Sequence, residues 1–233
     1  MYRFMLIITI FLRVALSTAM TATLAEVSGD VKIRRGLEET WQQAATGITL
    51  EEVDTILCLE GKAVLNLDNG MTFTLGSHSM LDIGDLKTIT RQQLFLYFMS
   101  LKIEKLPDHS SQPPARLGKV SVVHGTGPDS NRPDDTLWKS RAKQERNGAD
   151  ALFENGLYAN AIIKWHKIRQ RYPVEPDCGE IESLIARSFE ELKESGRAID
   201  AWQRVLELTE NCDNPEAAQR AETAGQHIDM LMP

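Results

Sequence analysis

Ala63-Val64-Leu65-Asn66-Leu67-Asp68-Asn69-Gly70-Met71-Thr72-Phe73-Thr74-Leu75 decides how the first half of the chain is read. Apolar and polar residues alternate on both sides of Asp68-Asn69-Gly70, the period of a half-buried strand. A two-residue loop at Asn69-Gly70 would pair Leu67 with Thr72 and split the two apolar rows between opposite faces. A three-residue loop pairs Leu67 with Met71, Leu65 with Phe73 and Ala63 with Leu75, so that all six share one face. That loop needs a left-handed third residue, and glycine stands there. The stretch therefore predicts a glycine-bulge hairpin with one buried face, on which Leu65, Leu67, Met71 and Phe73 are buried together.

Outward from the hairpin, residues 21 to about 106 read as all-β. Thr23-Leu24-Ala25-Glu26-Val27 and Val31-Lys32-Ile33-Arg34 flank a turn at Ser28-Gly29-Asp30. Gly47-Ile48-Thr49-Leu50 and Asp54-Thr55-Ile56-Leu57 come next, and beyond the hairpin Ser79-Met80-Leu81-Asp82-Ile83 and Leu94-Phe95-Leu96-Tyr97-Phe98 continue the strand pattern. Turn signals every eight to twelve residues predict a small β-roll or sandwich. The order Gly29-x-Val31, Trp41, Gly47-x-x-Leu50-x-x-x-Asp54-x-Ile56, Gly61-x-Ala63-x-Leu65-x-Leu67-Asp68-x-Gly70, Leu75 and Leu81 resembles the FecR domain over residues 22 to 105. That resemblance implies a non-catalytic β module outside the cytoplasm, used in sensing or protein contact. Signalling members of that family carry a sigma-factor-binding segment and a membrane helix ahead of the domain; with an export signal read at residues 1–19, transmembrane signalling by this chain alone is not expected.

The N-terminus differs in character from the rest of the chain. Phe4 to Leu12 is apolar or threonine behind Arg3, and small residues (Ala15, Ser17, Ala19, Ala22) come next. This is the shape of a secretory signal peptide, residues 1–19, with a cleavage site at Ser17-Thr18-Ala19. The apolar run is too short to span a bilayer and Arg13 interrupts it; it could instead be kept as an anchor. No second stretch could span a membrane. Net charge is −7 over 233 residues, which disfavours non-specific nucleic-acid binding.

Residues 107–135 hold Pro107, Pro113, Pro114, Pro128 and Pro133 and read as a linker, with one possible strand at Lys119-Val120-Ser121-Val122-Val123-His124. From residue 136 to 233 the pattern is helical, and two blocks match at an offset of 37: Ala149 with Ala186, Leu152 with Phe189, Ala161-Ile162 with Ala198-Ile199, Trp165 with Trp202, Ile168 with Val205. An internal period in this range signals a helical array. Ala149-x-x-Leu152, Gly156-x-Tyr158-x-x-Ala161-Ile162-x-x-Trp165 and Tyr172-Pro173 resemble a tetratricopeptide repeat, with the extra residues in the loop Val174-Glu175-Pro176-Asp177. Gly156 ends one helix and Tyr158 opens the next. Lys193 stands where the second block should repeat Gly156, and Gly196 is a candidate to shift that turn. Asp213 or Asn214 can cap a last helix over Pro215 to Met230, closing the array. An unrelated four- or five-helix bundle is the alternative.

The repeat resemblance implies that the first helix of each pair lines a concave groove. Arg146, Asp150, Phe153 and Glu154 would face it from the first pair, and Ser183, Arg187, Glu190 and Glu191 from the second; their mixed charge suits a protein partner. In the second repeat Cys178 precedes the first helix and Cys212 follows the second. The two helices of a repeat run antiparallel, so these ends meet, and a Cys178–Cys212 disulfide is expected with Cα atoms within about 7 Å. Cys58, in Ile56-Leu57-Cys58-Leu59, should stay reduced and buried.

Chemistry is sparse. His78, His109, His124, His166 and His227 stand at no metal-ligand spacing, so no metal is expected. Asp68, Asp82 and Asp85 lie in or beside turns, where aspartate is common for conformational reasons. Gly125-Thr126-Gly127-Pro128 lacks the Lys-Thr pair and helix start of a phosphate loop. The expectation is a multidomain α+β protein: a FecR-like β domain at residues 20–106, then a TPR-like helical-repeat domain at residues 136–233. It is expected to be non-enzymatic, without cofactor, periplasmic or otherwise extracytoplasmic, and a scaffold for protein partners in the cell envelope. The alternative is an extracytoplasmic sensor that binds a small ligand, glycan or receptor and relays it to a signalling partner.

Overall fold

The computed structural model describes residues 20–104, 135–172 and 177–232. The expected signal peptide, most of the linker with its possible strand, and the loop residues 174–176 lie outside the described residues. The architecture is mixed α+β: two small antiparallel four-stranded sheets, then six helices. By compactness the chain forms two units. Of the described residues, one holds those up to Ser77 with Asp82–Lys87; the other holds His78–Leu81 and those from Thr88 onward.

The strands are β1 (Thr21–Ser28), β2 (Val31–Arg34), β3 (Gln42–Gln43), β4 (Thr49–Glu51), β5 (Thr55–Cys58), β6 (Lys62–Leu67), β7 (Thr72–Leu75) and β8 (Ser79–Asp82). They form sheets of order β4-β1-β6-β7 and β3-β2-β5-β8. Consecutive β1 and β2 thus belong to different sheets, and Ser28-Gly29-Asp30 turns the corner between them. That corner lies against the turn before β6: a Cβ on Gly29 would run into the Glu60 carbonyl, and one on Gly61 into the Ser28 carbonyl. Alternate residues of both sheets are buried, among them Leu24, Leu65, Phe73 and Leu75 on the first and Val31, Ile33, Ile56 and Cys58 on the second.

The hairpin has the three-residue loop. Ala63 pairs with Leu75 and Leu65 with Phe73, and the Leu67 N–H donates to the Met71 carbonyl at 2.8 Å. Gly70 has φ +80° and its N–H donates to the Leu67 carbonyl at 3.0 Å. One residue departs from expectation: Met71 is 40% exposed, whereas Leu67 opposite is buried. Leu67 is flanked on its other side by Ala22 of β1, but β7 is the last strand of its sheet, so Met71 has no strand beyond it.

Leu94-Phe95-Leu96-Tyr97-Phe98 is not a strand. It lies in helix α1 (Arg91–Glu104), within the helical unit. A reciprocal capping box starts it: the Gln93 N–H donates to Thr90 Oγ1 at 3.2 Å, and the Thr90 N–H donates to Gln93 Oε1 at 2.8 Å. Leu94 is buried, while Phe95 and Leu96 are exposed, as on a helix with one covered side.

The remaining helices are α2 (Asp135–Glu154), α3 (Tyr158–Arg171), α4 (Glu180–Glu191), α5 (Ser195–Thr209) and α6 (Pro215–Leu231). The offset of 37 is structural. At the first turn the Gly156 N–H donates to the Phe153 carbonyl (2.9 Å) and the Leu157 N–H to the Leu152 carbonyl (2.8 Å). At the second, Lys193 donates to Glu190 (2.9 Å) and Glu194 to Phe189 (2.9 Å), the same two bonds 37 residues on. Lys193 takes the left-handed conformation of its glycine counterpart, φ +59° against +77°. Gly196 therefore does not shift the turn; it lies inside α5. Trp165 and Trp202 fill equivalent buried positions, as do Ala161 and Ala198. Asn214 caps α6, accepting from the Ala217 N–H at 2.7 Å, with Pro215 in the first turn.

Candidate interaction face of the helical unit

The Cys178–Cys212 disulfide is present, with Cα atoms 6.0 Å apart. It joins the start of α4 to the end of α5, as the antiparallel pairing requires. Around it the chain is fixed by polar contacts. Asp177 accepts from the N–H groups of Gly179 (3.2 Å) and Ile181 (3.0 Å), and Arg220 of α6 donates to the Cys178 carbonyl at 2.7 Å. Cys58 is free and buried, and burial pushes its thiol pKa up, with Asp30 adding to the shift. An inert thiol in an apolar strand is the consequence.

Two hollows lie along the face made by α2, α4 and α6. The larger, about 660 Å³, is bounded by α2 from Trp138 to Asp150, the ends of α3 and α5, and the start of α4. The smaller, about 350 Å³, lies among α4, α5 and α6. Glu180 borders both. Along α2 the side chains of Lys139, Lys143, Arg146 and Asp150 recur at three- and four-residue steps, which places them on one helix face.

Of the eight residues expected to face a groove, four border these hollows. Arg146 pairs with Glu180 at 2.5 Å; burial alone would weaken its charge, but Glu180 and neighbouring Asp150 and Asp177 outweigh that and raise its pKa. Asp150 accepts from the Trp165 indole N–H at 3.0 Å; burial raises its carboxyl above the usual aspartate value against that bond and Arg146. Ser183 and Arg187 border the smaller hollow. The Ser183 hydroxyl donates to the Glu180 carbonyl at 2.7 Å, and the Arg187 guanidinium lies 5.3 Å from the Phe153 ring centre.

The other four border neither hollow. Phe153 is a platform, edge-on to Tyr158 at 5.3 Å and beside Trp165 at 6.0 Å, with Arg187 over it. Glu190 accepts from the Trp202 indole N–H and sits 2.8 Å from His227 Nδ1, while the His227 ring stacks on Trp202 at 4.8 Å. Glu154 and Glu191 are exposed near the ends of α2 and α4.

Sequence reasoning missed two buried carboxylates of the helical unit. Glu145, 3% exposed, accepts two bonds from Arg171 (3.0 and 2.9 Å) and one from the Tyr172 hydroxyl (2.9 Å). Glu182, 1% exposed, accepts from Arg169 (2.5 Å) and Arg204 (3.3 Å). The two glutamates are themselves 37 residues apart, so the internal repeat carried the signal. Each buried carboxylate ties a first helix to the end of a second helix, and losing a partner would leave an uncompensated charge. Burial and the Glu145 carboxylate together raise the Tyr172 pKa, keeping the phenol protonated and donating.

These groups hold helices in place. Among the described residues no three or more His, Cys, Asp or Glu side chains gather where a metal ion could be held. What remains open are the two hollows, lined by side chains of both charges. Among the described residues no helix is long and apolar enough to cross a membrane. Comparison with known proteins gives no match: none to a family model, none to a curated protein and none to a solved structure.

Proposed function

We propose that this protein is an exported, non-enzymatic scaffold of the cell envelope, in which a FecR-like β module is joined to TPR-like repeats that hold a protein partner. The observation that carries the reading is the pair of hollows sharing Glu180 along the face of α2, α4 and α6. An elongated partner segment would fill both. The repetition of the same turn bonds at 37 residues supports the repeat reading. The Cys178–Cys212 disulfide supports an oxidising, extracytoplasmic compartment, as does the signal-like N-terminus. With two helical pairs and a closing helix among the described residues the face is short, so contacts from the β module would be needed for high affinity.

The experiment is capture of partners from an envelope fraction by the full chain, compared with a Phe153→Ala/Arg187→Ala variant. A stoichiometric partner lost in the variant supports the scaffold. Unchanged capture removes this face as the interface. The larger hollow also has the volume of a small-molecule site, which favours the sensor as second reading. Capture that depends on an added small molecule would select it.

A further inference from the structure

We infer that the Cys178–Cys212 bond is a reducible latch on the start of α6, and that an external dithiol, by opening it, moves one wall of the smaller hollow while the repeats stay folded. The inference concerns that wall and is independent of what fills the hollow. Three elements meet at the bond: α4 begins just after Cys178, α5 ends just before Cys212, and α6 begins at Pro215. Polar contacts fasten α6 near both of its ends. At the start, Arg220 donates to the Cys178 carbonyl at 2.7 Å and Asn214 Nδ2 donates to Cys178 Sγ at 3.6 Å. Near the other end, His227 stacks on Trp202 and lies 2.8 Å from Glu190 Oε1. The first set depends on where Cys178 sits; the second does not. Glu216, Gln219, Arg220 and Thr223, all from the first half of α6, form one wall of the smaller hollow.

The backbone at Cys178 has a reason to move. Cys178 has φ +48° and Gly179 φ +76°, so two consecutive residues are left-handed. For cysteine that conformation is strained and persists where surrounding contacts impose it. The disulfide is one of those contacts. Both cysteines are half-buried, open enough for a small thiol to approach. A bond that is accessible and adjoins strain belongs to the labile class.

The two sulfurs differ in their surroundings. Asn214 Oδ1 is fixed on the Ala217 N–H at 2.7 Å, which turns the donor Nδ2 toward Cys178 Sγ. Cys212 Sγ instead lies 3.4 Å from the Leu208 carbonyl oxygen. A hydrogen-bond donor stabilises a departing thiolate, and a carbonyl oxygen does not. The thiolate of the dithiol therefore attacks Cys212 Sγ. A mixed disulfide forms there, the Cys178–Cys212 bond breaks, and its electron pair leaves on Cys178 Sγ, which takes a proton from water. The second thiol of the reductant then attacks the reductant's own sulfur in the mixed disulfide. Cys212 leaves and takes the proton that this thiol gives up. Two electrons and two protons have passed to the two cysteines, and the dithiol has become a disulfide.

Native reduction of the oxidised full chain by dithiothreitol, followed by alkylation and mass mapping, tests this. Cys178 and Cys212 are expected to become reduced without denaturant, with the helical circular dichroism retained. The amides of residues 179–183 and 217–220 should then exchange hydrogen at least ten-fold faster, and those of residues 161–165 at an unchanged rate. Glutathione in place of dithiothreitol should be trapped on Cys212 at least ten-fold more often than on Cys178. Asn214→Asp keeps an oxygen to cap α6 but replaces the donor to Cys178 Sγ by an acceptor, and should slow native reduction at least ten-fold. A bond that yields only in denaturant, a reduction that unfolds the repeats, or unchanged exchange at residues 179–183 and 217–220 overturns the inference and makes the disulfide a fixed cross-link. Equal trapping on the two cysteines, or an unchanged rate in Asn214→Asp, overturns Cys178 as the leaving sulfur.

Discussion

Lys193→Gly should make the protein more stable. Lys193 holds φ +59° at the turn between α4 and α5, where the equivalent turn between α2 and α3 has Gly156 at φ +77°. A side chain in the left-handed region costs about 1–2 kcal/mol. Glycine removes that cost but returns about 0.5–1 kcal/mol through the greater freedom of the unfolded chain. The Lys193 side chain is exposed and the turn bonds come from the backbone, so nothing else is lost. The net gain is about 0.5–1 kcal/mol, or about 1–4 °C in Tm for a chain of this size. The reciprocal Gly156→Lys should lose a similar amount, because a Cβ there meets nothing within 4 Å and the penalty is backbone alone. Urea unfolding monitored by far-ultraviolet circular dichroism, where the helices dominate, measures both. A destabilising Lys193→Gly, or a harmless Gly156→Lys, would refute the claim that the two turns are the same structure.

Replacing Cys178 and Cys212 by serine opens a link of 34 residues and should cost the helical unit about 3–4 kcal/mol by loop entropy; mass mapping of non-reduced peptides checks that the bond forms in the native compartment. Asp54 is the charged hub of the β unit. Burial pushes its carboxyl up, but the Glu51 and Gly36 N–H groups and Arg35 (2.6 Å) outweigh that and lower its pKa. Its stabilisation is therefore complete above the unfolded aspartate value and is lost as pH falls through the lower folded value; Asp54→Asn should cost about 1.5–3 kcal/mol at neutral pH, and the gap to wild type should close in acid. Gly61→Ala should harm the β unit more than Gly70→Ala, since the first collides with the Ser28 carbonyl and the second meets open space at a left-handed turn, as paired thermal melts would show.

Much of the fold was legible where geometry leaves one solution. Asp68-Asn69-Gly70 admits a single loop that keeps the apolar rows together, and the register followed. The Cys178–Cys212 bond followed from the antiparallel helix pair. Met71 was not legible because alternation records which face a residue shares, not whether its strand is the edge. Leu94 to Phe98 was misread as strand because a contiguous apolar run has no decisive period. The helix start was nonetheless written just before it, in Thr90-Arg91-Gln92-Gln93. Half of the expected groove residues border the hollows. Lys139 and Lys143 were overlooked because α2 begins at Asp135, well ahead of the first matched residue Ala149. The buried pair Glu145 and Glu182 was overlooked because only apolar and small residues were matched at the offset, although charge buried at a fixed position recurs for the same packing reason.

The most direct test of the scaffold account is site-specific photocrosslinking in the envelope. A crosslinker is placed at Ser183, which borders the smaller hollow, and in a second protein at Gln203, an exposed residue of α5 that borders neither. The account predicts one dominant, stoichiometric protein adduct from position 183, absent from position 203 and abolished by Phe153→Ala/Arg187→Ala. Equal adducts from both positions, or none from position 183 while the partner is still captured, would contradict it.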